Sequence, residues 1–295
     1  MEFKKYQHIE RFGRTEVEGI LNGTVHIFDK IDGTNAQVWL GEDGMLHFGS
    51  RNRELSLDFD NNGFMNSLRN NKNLIDFFSE NKCLRLCGEW LKPHTIKYYE
   101  DNAWANFYVF DVMDDNDKYL PYEEYVELLE KHNILYIPAL AVLNNPTYED
   151  ITSYFNKVKF LVKEGCGMGE GIVIKNYQYT NKFGNKIWAK IVLEEFKSSH
   201  KSNKIKQKYD SDLVEERIVE KYITKSFVEK EYAKLLVDGV FDNKSIPRLL
   251  NTIFYSLIAE DAWDFVKEFK KPTVNFKTLE FLCRERVKSF LPMVF

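Results

Sequence analysis

The hydrophobic pattern of this 295-residue chain changes character once, near residue 197. Before that point, apolar runs that favour strands alternate with amphipathic stretches, and glycine-bearing turns separate them. Beyond it, apolar residues recur at the helical spacing, as in the row Leu249, Ile253 and Leu257. We therefore predict an α+β domain over residues 1–196 and an all-helical domain over 213–295. The polar, lysine-rich stretch 197–212 between them is interpreted as a basic linker.

The first domain is predicted to mix short strands with three helices. A helix is expected over 65–78, a second begins after Pro121, and a third runs from a capping box at Thr147 to about residue 163. The strands are expected at 25–28, 36–40, 45–48, 84–87, 107–112, 135–142, 171–175 and 187–192.

Composition and charge exclude several classes of protein. No apolar run approaches the length that crosses a bilayer, and the N-terminal stretch lacks the apolar core of a signal peptide. We therefore expect a cytoplasmic protein, whether in an ordinary cell or in a phage- or virus-infected host cell. The four cysteines form no C-x-x-C pair and no zinc spacing with the six histidines. Because the formal net charge is -4, binding of a polyanion would require a local basic patch.

One lysine stands at the end of an apolar run, in the sequence IFDKIDGTNAQVWL from Ile27 to Leu40. Asp32-Gly33 between two strand-like runs is a hairpin signal, and on that interpretation Lys30 is only a solvated residue beside a turn. The rest of the chain favours a functional role for Lys30, because further stretches with charged residues follow it in a definite order. They are FGSRNREL from Phe48, LCGEWLKPHTIKYY from Leu86, FYVFDV from Phe107, EGIVIK from Glu170 and IWAKIVLEEF from Ile187.

This order of motifs resembles that of the covalent nucleotidyltransferases, which include ATP-dependent ligases and mRNA-capping guanylyltransferases. The chain is most similar to RNA ligases of the phage RNA ligase 2 type, over most of residues 1–196. The resemblance implies an adenylyltransferase domain with an ATP-grasp-like, antiparallel sheet followed by helices. It also implies a monomeric RNA-repair enzyme that uses ATP and Mg²⁺ (or Mn²⁺). Its partner would be RNA with 3′-hydroxyl and 5′-phosphate ends, as a nicked duplex, a cleaved loop or single strands. No membrane partner is expected.

The resemblance assigns the chemistry to five side chains. Lys30 matches the lysine that attacks the α-phosphate and releases pyrophosphate, and Glu170 matches the carboxylate that helps to bind the metal. Lys175 and Lys190 match the lysines that hold the α-phosphate, and Glu89 matches the glutamate that accepts a hydrogen bond from the ribose. An ordinary lysine pKa of about 10.4 leaves only about one amine in a thousand neutral near neutral pH. Nearby cations, Mg²⁺ among them, are therefore expected to favour the neutral nucleophile.

The same resemblance assigns contacts with the nucleotide or the RNA to further positions. Asp32 and Gly33 shape the turn after the nucleophile, and Asn35 matches an asparagine typical of RNA ligases. Arg51 matches the arginine that contacts the phosphates or the RNA end. Phe110 matches the aromatic residue that stacks on the base.

Three positions depart from the pattern and leave rival functions open. Asp29 stands where the family often carries a glutamate that contacts adenine. Asp32 stands where these RNA ligases usually carry histidine, whereas DNA ligases and capping enzymes carry aspartate. A minimal ATP-dependent DNA ligase and a GTP-using guanylyltransferase are therefore alternatives. Trp188 replaces the first lysine of the last motif, which supports a third alternative, an inactive RNA-end-binding module, unless Lys186 compensates.

Overall fold

The computed structural model describes residues 1–93, 96–193, 213–237 and 245–295. Its internal contacts divide the chain into two compact units, Met1–Phe196 and Lys197–Phe295. The first unit mixes strands with helices, and the described part of the second is helical, so the predicted α+β class with C-terminal helices is confirmed. The stretch 197–212, predicted to be a basic linker, lies outside the described residues.

The strands of the first unit form two sheets. In the first sheet the spatial order is β1 (Glu10–Arg11), β9 (Ala189–Val192), β8 (Gly171–Lys175), β2 (Thr24–Lys30) and β7 (Ala139–Asn144). In the second sheet the order is β4 (Leu46–Ser50), β3 (Thr34–Leu40), β5 (Leu84–Trp90) and β6 (Phe107–Asp114). The short β1–β9 ladder is parallel, and the other described ladders are antiparallel.

The segment between β2 and β3 is not the hairpin that Asp32-Gly33 suggests in isolation. β2 pairs with β7 and β8, whereas β3 pairs with β4 and β5, so the chain crosses from one sheet to the other at this point. Both strands are largely buried, which a solvated hairpin would not require. Lys30 therefore lies where the chain leaves the first sheet, and not at an exposed turn.

The helix expected over 65–78 is divided into two helices. They span Phe64–Leu68 and Lys72–Glu80. The break falls at Asn71, whose side chain accepts a hydrogen bond from the backbone N–H of Leu74. An asparagine in this N-cap position accepts from a backbone N–H of the first turn that would otherwise be unpaired. A new helix therefore begins directly after Asn71.

The start of the helix after Pro121 is confirmed, whereas the helix expected from Thr147 to about residue 163 is wrong beyond Thr152. The helix after Pro121 spans Tyr122–Lys131. The capping box at Thr147 is formed with Asp150, but its helix spans only Tyr148–Thr152. The strand expected over 135–142 is β7, four residues later at its start. Capping chemistry thus located the helix starts, whereas the lengths depended on packing that the sequence does not display.

Each sheet carries its own apolar core. The first core contains Phe28, Tyr99 and Trp188, and the second contains Phe64, Phe77 and Trp90. All six side chains are buried. The two cores fix the two ends of the Asp32-Gly33 crossing, so the residues around Lys30 are held by a rigid framework.

In the second unit, the predicted helical period is confirmed. Leu249, Ile253 and Leu257 are fully buried in its core, beside Leu279 and Cys283. The helices are Val214–Tyr222, Lys225–Val237, Ser245–Ser256, Ala262–Glu268 and Phe276–Phe290, with a π-helical turn at Leu257–Asp261. Across the described part of the chain, we find no helix with both the length and the apolar character of a membrane span.

Candidate active site

Lys30 meets a carboxylate at the end of the β2–β8 ladder. It pairs in register with Gly171, and its Nζ lies 2.5 Å from Oε2 of Glu170, the residue before β8. The Lys30 side chain is 23% exposed and the Glu170 side chain 8% exposed. A Cβ on Gly171 would lie 2.1 Å from the carbonyl oxygen of Ile191, so only glycine fits opposite the lysine. The predicted nucleophile and metal carboxylate are therefore brought together, at a site that solvent still reaches.

Asp32 and Gly33 hold the crossing between the sheets. The Asp32 carboxylate accepts a hydrogen bond from the backbone N–H of Ile96 (2.9 Å), and its own N–H donates to the hydroxyl of Tyr99 (2.9 Å). A Cβ on Gly33 would lie 2.7 Å from the carbonyl oxygen of Trp90, which excludes any larger residue without a shift. The Asp-Gly pair therefore shapes the turn after Lys30, as the resemblance implies.

Glu89 lies beside this turn. Its Oε1 accepts a hydrogen bond from the backbone N–H of Gly33 at 3.1 Å. Burial raises the pKa of Glu89 to about 7; the cations Lys30 and Arg51 oppose that rise, and the carboxylates of Glu170 and Asp32 add to it. Three carboxylates and two cations therefore interact around the end of β2, and Glu89 is poised to gain or lose a proton near neutral pH.

Two further predicted residues carry buried polar atoms that lack a hydrogen-bond partner among the described residues. These atoms are Oδ1 of Asn35 and Nε of Arg51. Asn35 pairs with Glu89 across the β3–β5 ladder, and Arg51 follows β4 directly. Because burial of an unpaired polar atom costs free energy, these two atoms could each gain from a bound partner; similar atoms also occur away from Lys30, as at Arg286.

Lys175 does not lie beside Lys30. It pairs with His26, four residues along β2 from Lys30, which corresponds to ~13 Å of strand. Its Nζ donates to Oδ1 of Asp111 at 2.8 Å and to the carbonyl oxygen of Phe110 at 2.5 Å. Burial lowers the pKa of Lys175, although the Asp111 carboxylate opposes that effect. The expectation that Lys175 acts as a cation next to Lys30 is therefore not met, because Lys175 forms a buried ion pair with Asp111.

The last motif places one lysine on the face of Lys30. Lys190 pairs with Val173, two residues along β8 from Gly171, so the alternation of side chains puts Lys190 and Lys30 on the same face. Trp188 is fully buried and donates its indole N–H to Asp111. Lys186 donates to the carbonyl oxygen of Tyr177 and does not take the place of the missing lysine.

Asp29 points to the opposite side of β2 from Lys30, since neighbouring side chains of a strand alternate. Its Oδ1 accepts a hydrogen bond from the backbone N–H of Phe160 at 3.2 Å. Burial raises the pKa of Asp29 to about 7, against the lowering effect of that hydrogen bond. The structure does not bring Asp29 together with the other predicted site residues.

The donor set around Lys30 fits a hard divalent cation that is shared with a substrate. Glu170 and Glu89 supply carboxylate oxygens, and the mutual repulsion of the carboxylates favours an added positive charge. Within the described ranges, no group of three acidic, histidine or cysteine side chains is arranged to hold a metal. Mg²⁺ is commonly bound by one or two carboxylates together with substrate phosphates, which is the arrangement this site offers.

Sequence reasoning missed Asp111 and Tyr6, which form a buried hydrogen-bonded cluster with Lys175. Tyr6 donates its hydroxyl to Oδ2 of Asp111 at 2.5 Å, and Asp111 is fully buried. One signal was present, since Asp111 is the charged residue inside the apolar run FYVFDV. A charge in a strand that is otherwise apolar requires a partner.

Comparison with known proteins identifies the family of this chain. The sequence model of the family described as RNA ligase matches residues 23–192, which include Lys30, Glu89, Glu170 and Lys190. The chain belongs to the RNA ligase family. This RNA ligase family chain is also 33% identical over 115 residues to an uncharacterized protein of Methanocaldococcus jannaschii, a match that covers 36% of this chain and 27% of that protein.

Two solved structures share the fold of this RNA ligase family chain. An RNA ligase of Naegleria gruberi with PPi has a TM-score of 0.53 at 22% identity, over 68% of this chain and 59% of that one. An archaeal ATP-dependent RNA ligase has a TM-score of 0.51 at 15% identity, over 97% of this chain and 66% of that one. The chain thus spans about a quarter of the curated relative and somewhat less than two thirds of these structures.

Proposed function

We propose that this protein is an ATP-dependent RNA ligase of the phage RNA ligase 2 type. It joins RNA 3′-hydroxyl and 5′-phosphate ends through a lysyl-AMP intermediate on Lys30 and an adenylylated RNA 5′ end. The observation that carries the proposal is the contact of Lys30 with Glu170 at 2.5 Å, beside Glu89, where the chain crosses between the two sheets. A partly exposed lysine amine next to a carboxylate that would instead bind a divalent metal, in a chain of the RNA ligase family, suits covalent nucleotide transfer with metal assistance.

In the first step, the neutral amine of Lys30 attacks the α-phosphorus of ATP. The Lys30 ammonium gives up one proton to solvent or to a carboxylate before the attack; a P–N bond then forms, the bond to pyrophosphate breaks, and the nitrogen releases a second proton to solvent. Glu170 holds the amine at the exit of β2, and Lys190, on the same face, is the lysine that we propose for the α-phosphate. A bound Mg²⁺ or Mn²⁺, held by Glu170, would neutralise the charge on the phosphate oxygens.

In the later steps, AMP passes from Lys30 to an RNA 5′-phosphate, and a 3′-hydroxyl then displaces it. The buried unpaired atoms of Asn35 and Arg51 are available for the RNA ends or the phosphates. Glu89 is proposed to accept a hydrogen bond from the ribose, and Phe110 to stack on the base. Residues 1–196 would carry out the chemistry, while the helical domain 213–295, joined by the linker 197–212, would help to place the RNA.

Related structures support the choice of cofactors. Variants of the Naegleria gruberi RNA ligase have been described with ATP and Mn and with AMP and Mn. The first contains the ATP that our proposal requires and the second contains AMP, each together with Mn. We therefore propose ATP with Mg²⁺ or Mn²⁺ for this chain as well.

Covalent labelling tests the proposal. The folded protein, freed of any bound AMP, is incubated with Mg²⁺ and α-labelled ATP or GTP, and then run on a denaturing gel. We expect label from ATP that is stable in alkali and labile in acid, as a phosphoramidate is. Lys30→Ala should abolish the label, and Lys131→Ala, which removes a lysine that pairs with Glu80 on the surface, should retain it.

The alternative functions predict different labelling or end-joining results. Label from GTP alone would identify a capping guanylyltransferase. No label from either nucleotide, with RNA binding retained, would identify an inactive RNA-end-binding module. Label from ATP with joining of DNA ends but not RNA ends would identify a DNA ligase. Each of these results would overturn the proposal.

A further inference from the structure

The carboxylate of Asp111 is the centre of a closed hydrogen-bond cluster inside the first unit. Its Oδ2 accepts from the Tyr6 hydroxyl at 2.5 Å and from the Trp188 indole N–H at 3.1 Å, and its Oδ1 accepts from Lys175 at 2.8 Å. Asp111 and Trp188 are fully buried, and Lys175 is 2% exposed. We refer to these four residues as the Asp111 cluster. Buried networks with every member paired are rigid, because each partner fixes the next.

The Asp111 cluster contacts Phe110 from two sides. Lys175 donates to the carbonyl oxygen of Phe110 at 2.5 Å, and its Nζ lies 5.4 Å from the centre of the phenyl ring. The Tyr6 ring packs against the Phe110 ring with their centres 5.2 Å apart. The backbone and the side chain of Phe110 are therefore both fixed by members of the cluster.

The strand ladder by itself does not fix Phe110. Along β5 and β6, Gly88 pairs with Val109 and Cys87 pairs with Asp111, so the register shifts and Phe110 has no partner across the ladder. A bulged residue of this kind is aimed by its surroundings and not by regular pairing. The Phe110 ring packs on Tyr6 and lies beside Lys175, and both of these residues are held by Asp111. The Phe110 carbonyl oxygen accepts from Lys175 and also from the Tyr125 hydroxyl at 3.2 Å.

We propose that Tyr6, Asp111 and Trp188 are positioning residues that hold Phe110 in the orientation needed to receive the nucleotide base. This inference rests on the proposed function, in which Phe110 stacks on the base. None of the three residues needs to touch the nucleotide. They act by fixing the ring before the nucleotide arrives, which lowers the cost of ordering the pocket on binding.

Charge balance explains why a tryptophan suits position 188. The resemblance gives this position to a lysine, but Asp111 already holds the ammonium of Lys175. A second ammonium in the same buried space would have no counter-charge among the described neighbours of Asp111. The indole N–H of Trp188 supplies a neutral donor instead, and its ring packs against Tyr119 and Tyr177.

The variant Tyr6→Phe tests the inference with little risk to the fold, because it removes one hydroxyl. Labelling of Lys30 is followed over a range of ATP concentrations. We expect the KM for ATP to rise about tenfold, the scale of losing one hydrogen bond to a charged group, with the rate at saturating ATP within a factor of two. The matched control is Tyr108→Phe, which removes a buried hydroxyl that donates to the carbonyl oxygen of Ala103. It should leave both values unchanged.

A second pair of variants gives opposite predictions for the two interpretations of position 188. If the side chain at this position served the phosphate, Trp188→Lys would raise the labelling rate above that of wild type. The Asp111 cluster predicts instead a weaker ATP affinity for Trp188→Lys, and a smaller loss for Trp188→Phe. Should Trp188→Lys fail to fold, Trp188→Phe and Tyr6→Phe still decide the question.

Failure of this inference can be told apart from failure of the proposed function. Wild-type protein that takes no label would overturn the proposed function. Wild-type protein that takes label, with an unchanged KM in both Tyr6→Phe and Trp188→Phe, would overturn the positioning role alone. A third readout is sealing of RNA that is already adenylylated: because its AMP group carries the same base, Tyr6→Phe should raise the KM for that RNA as well, and Tyr108→Phe should not.

Discussion

Two lysine–carboxylate pairs stand at opposite ends of one strand pair, and their surroundings differ sharply. At one end of β2–β8, Lys30 contacts Glu170 at 2.5 Å and its side chain is 23% exposed. At the other end, Lys175 contacts Asp111 at 2.8 Å, with side chains 2% and 0% exposed. The first pair has further carboxylates nearby, whereas the second is closed by neutral donors.

The difference teaches which lysine is free to react. Lys175 is held by a carboxylate and a backbone carbonyl inside a closed cluster, so a change in its charge would leave Asp111 unpaired. Lys30 lies at the exit of its strand, where a substrate or metal can take over the carboxylate. The same residue types therefore serve as scaffold at one end and as candidate chemistry at the other.

The largest expected effect on stability comes from breaking the buried pair. Asp111→Asn leaves the Lys175 ammonium without its counter-charge, so we expect the free energy of unfolding to fall by about 3–5 kcal/mol. Urea unfolding followed by tryptophan fluorescence measures it. The control Glu80→Gln breaks the exposed Glu80–Lys131 pair and should cost less than about 1 kcal/mol. Equal losses in the two variants would show that the Asp111 cluster is not a structural centre.

The largest expected effect on chemistry comes from the accessible pair. Glu170→Gln keeps the shape but removes the charge, and we expect Lys30 labelling to slow about 100-fold, or about 2.7 kcal/mol in activation free energy. Because Glu170 is buried but Lys30 is partly exposed, we expect the free energy of unfolding to fall by less than in Asp111→Asn. The exposed neighbour Glu164→Gln is the control and should label like wild type. Normal labelling by Glu170→Gln would remove Glu170 from the mechanism.

An intermediate effect is expected from pH, through Glu89. Its pKa in the folded protein is about 7, above its ordinary value of 4.5, so the folded state binds more protons than the unfolded state between these values. Stability should therefore fall as pH rises through this window, by up to about 1.4 kcal/mol per pH unit. Glu89→Gln removes this contribution, while that of Asp29, which has the same sign, remains in both proteins. Parallel pH profiles for wild type and Glu89→Gln would contradict the assignment.

The smallest effect on stability is expected at Asn35. Its buried Oδ1 lacks a described partner, so Asn35→Ala should change the free energy of unfolding by less than about 1 kcal/mol. Sealing of RNA should nevertheless fall about tenfold if this oxygen faces a substrate. Asn71→Ala is the contrast, because it removes a helix cap and should lower stability by about 1 kcal/mol without affecting sealing. The reverse pattern would place Asn35 outside the site.

The sequence was most informative where a single local rule decides the outcome. The helical period identified the C-terminal helices, and Pro121 and the capping box at Thr147 marked helix starts. It was misleading at Asp32-Gly33, where a hairpin signal hides a crossing between two sheets. Strand pairing is set by contacts between distant segments, which local turn chemistry does not encode.

The sequence also predicted some parts of the candidate site better than others. The resemblance placed Lys30 next to Glu170, and the structure brings these residues together. It also assigned Lys175 to the phosphate, because a sequence motif gives the order of residues and not their contacts in the folded protein. The partner Asp111 and the hydroxyl of Tyr6 are distant from Lys175 in sequence, so only the fold shows that they neutralise and bury it.

One measurement tests the central claim most directly, namely that Lys30 and not Lys175 is the reactive lysine. The wild-type protein is incubated with ATP and Mg²⁺, digested, and its peptides are mapped by mass spectrometry under alkaline conditions that preserve a P–N bond. We predict AMP on the peptide that contains Lys30 and on no other. AMP on Lys175, or folded protein that carries no nucleotide at all, would contradict the account.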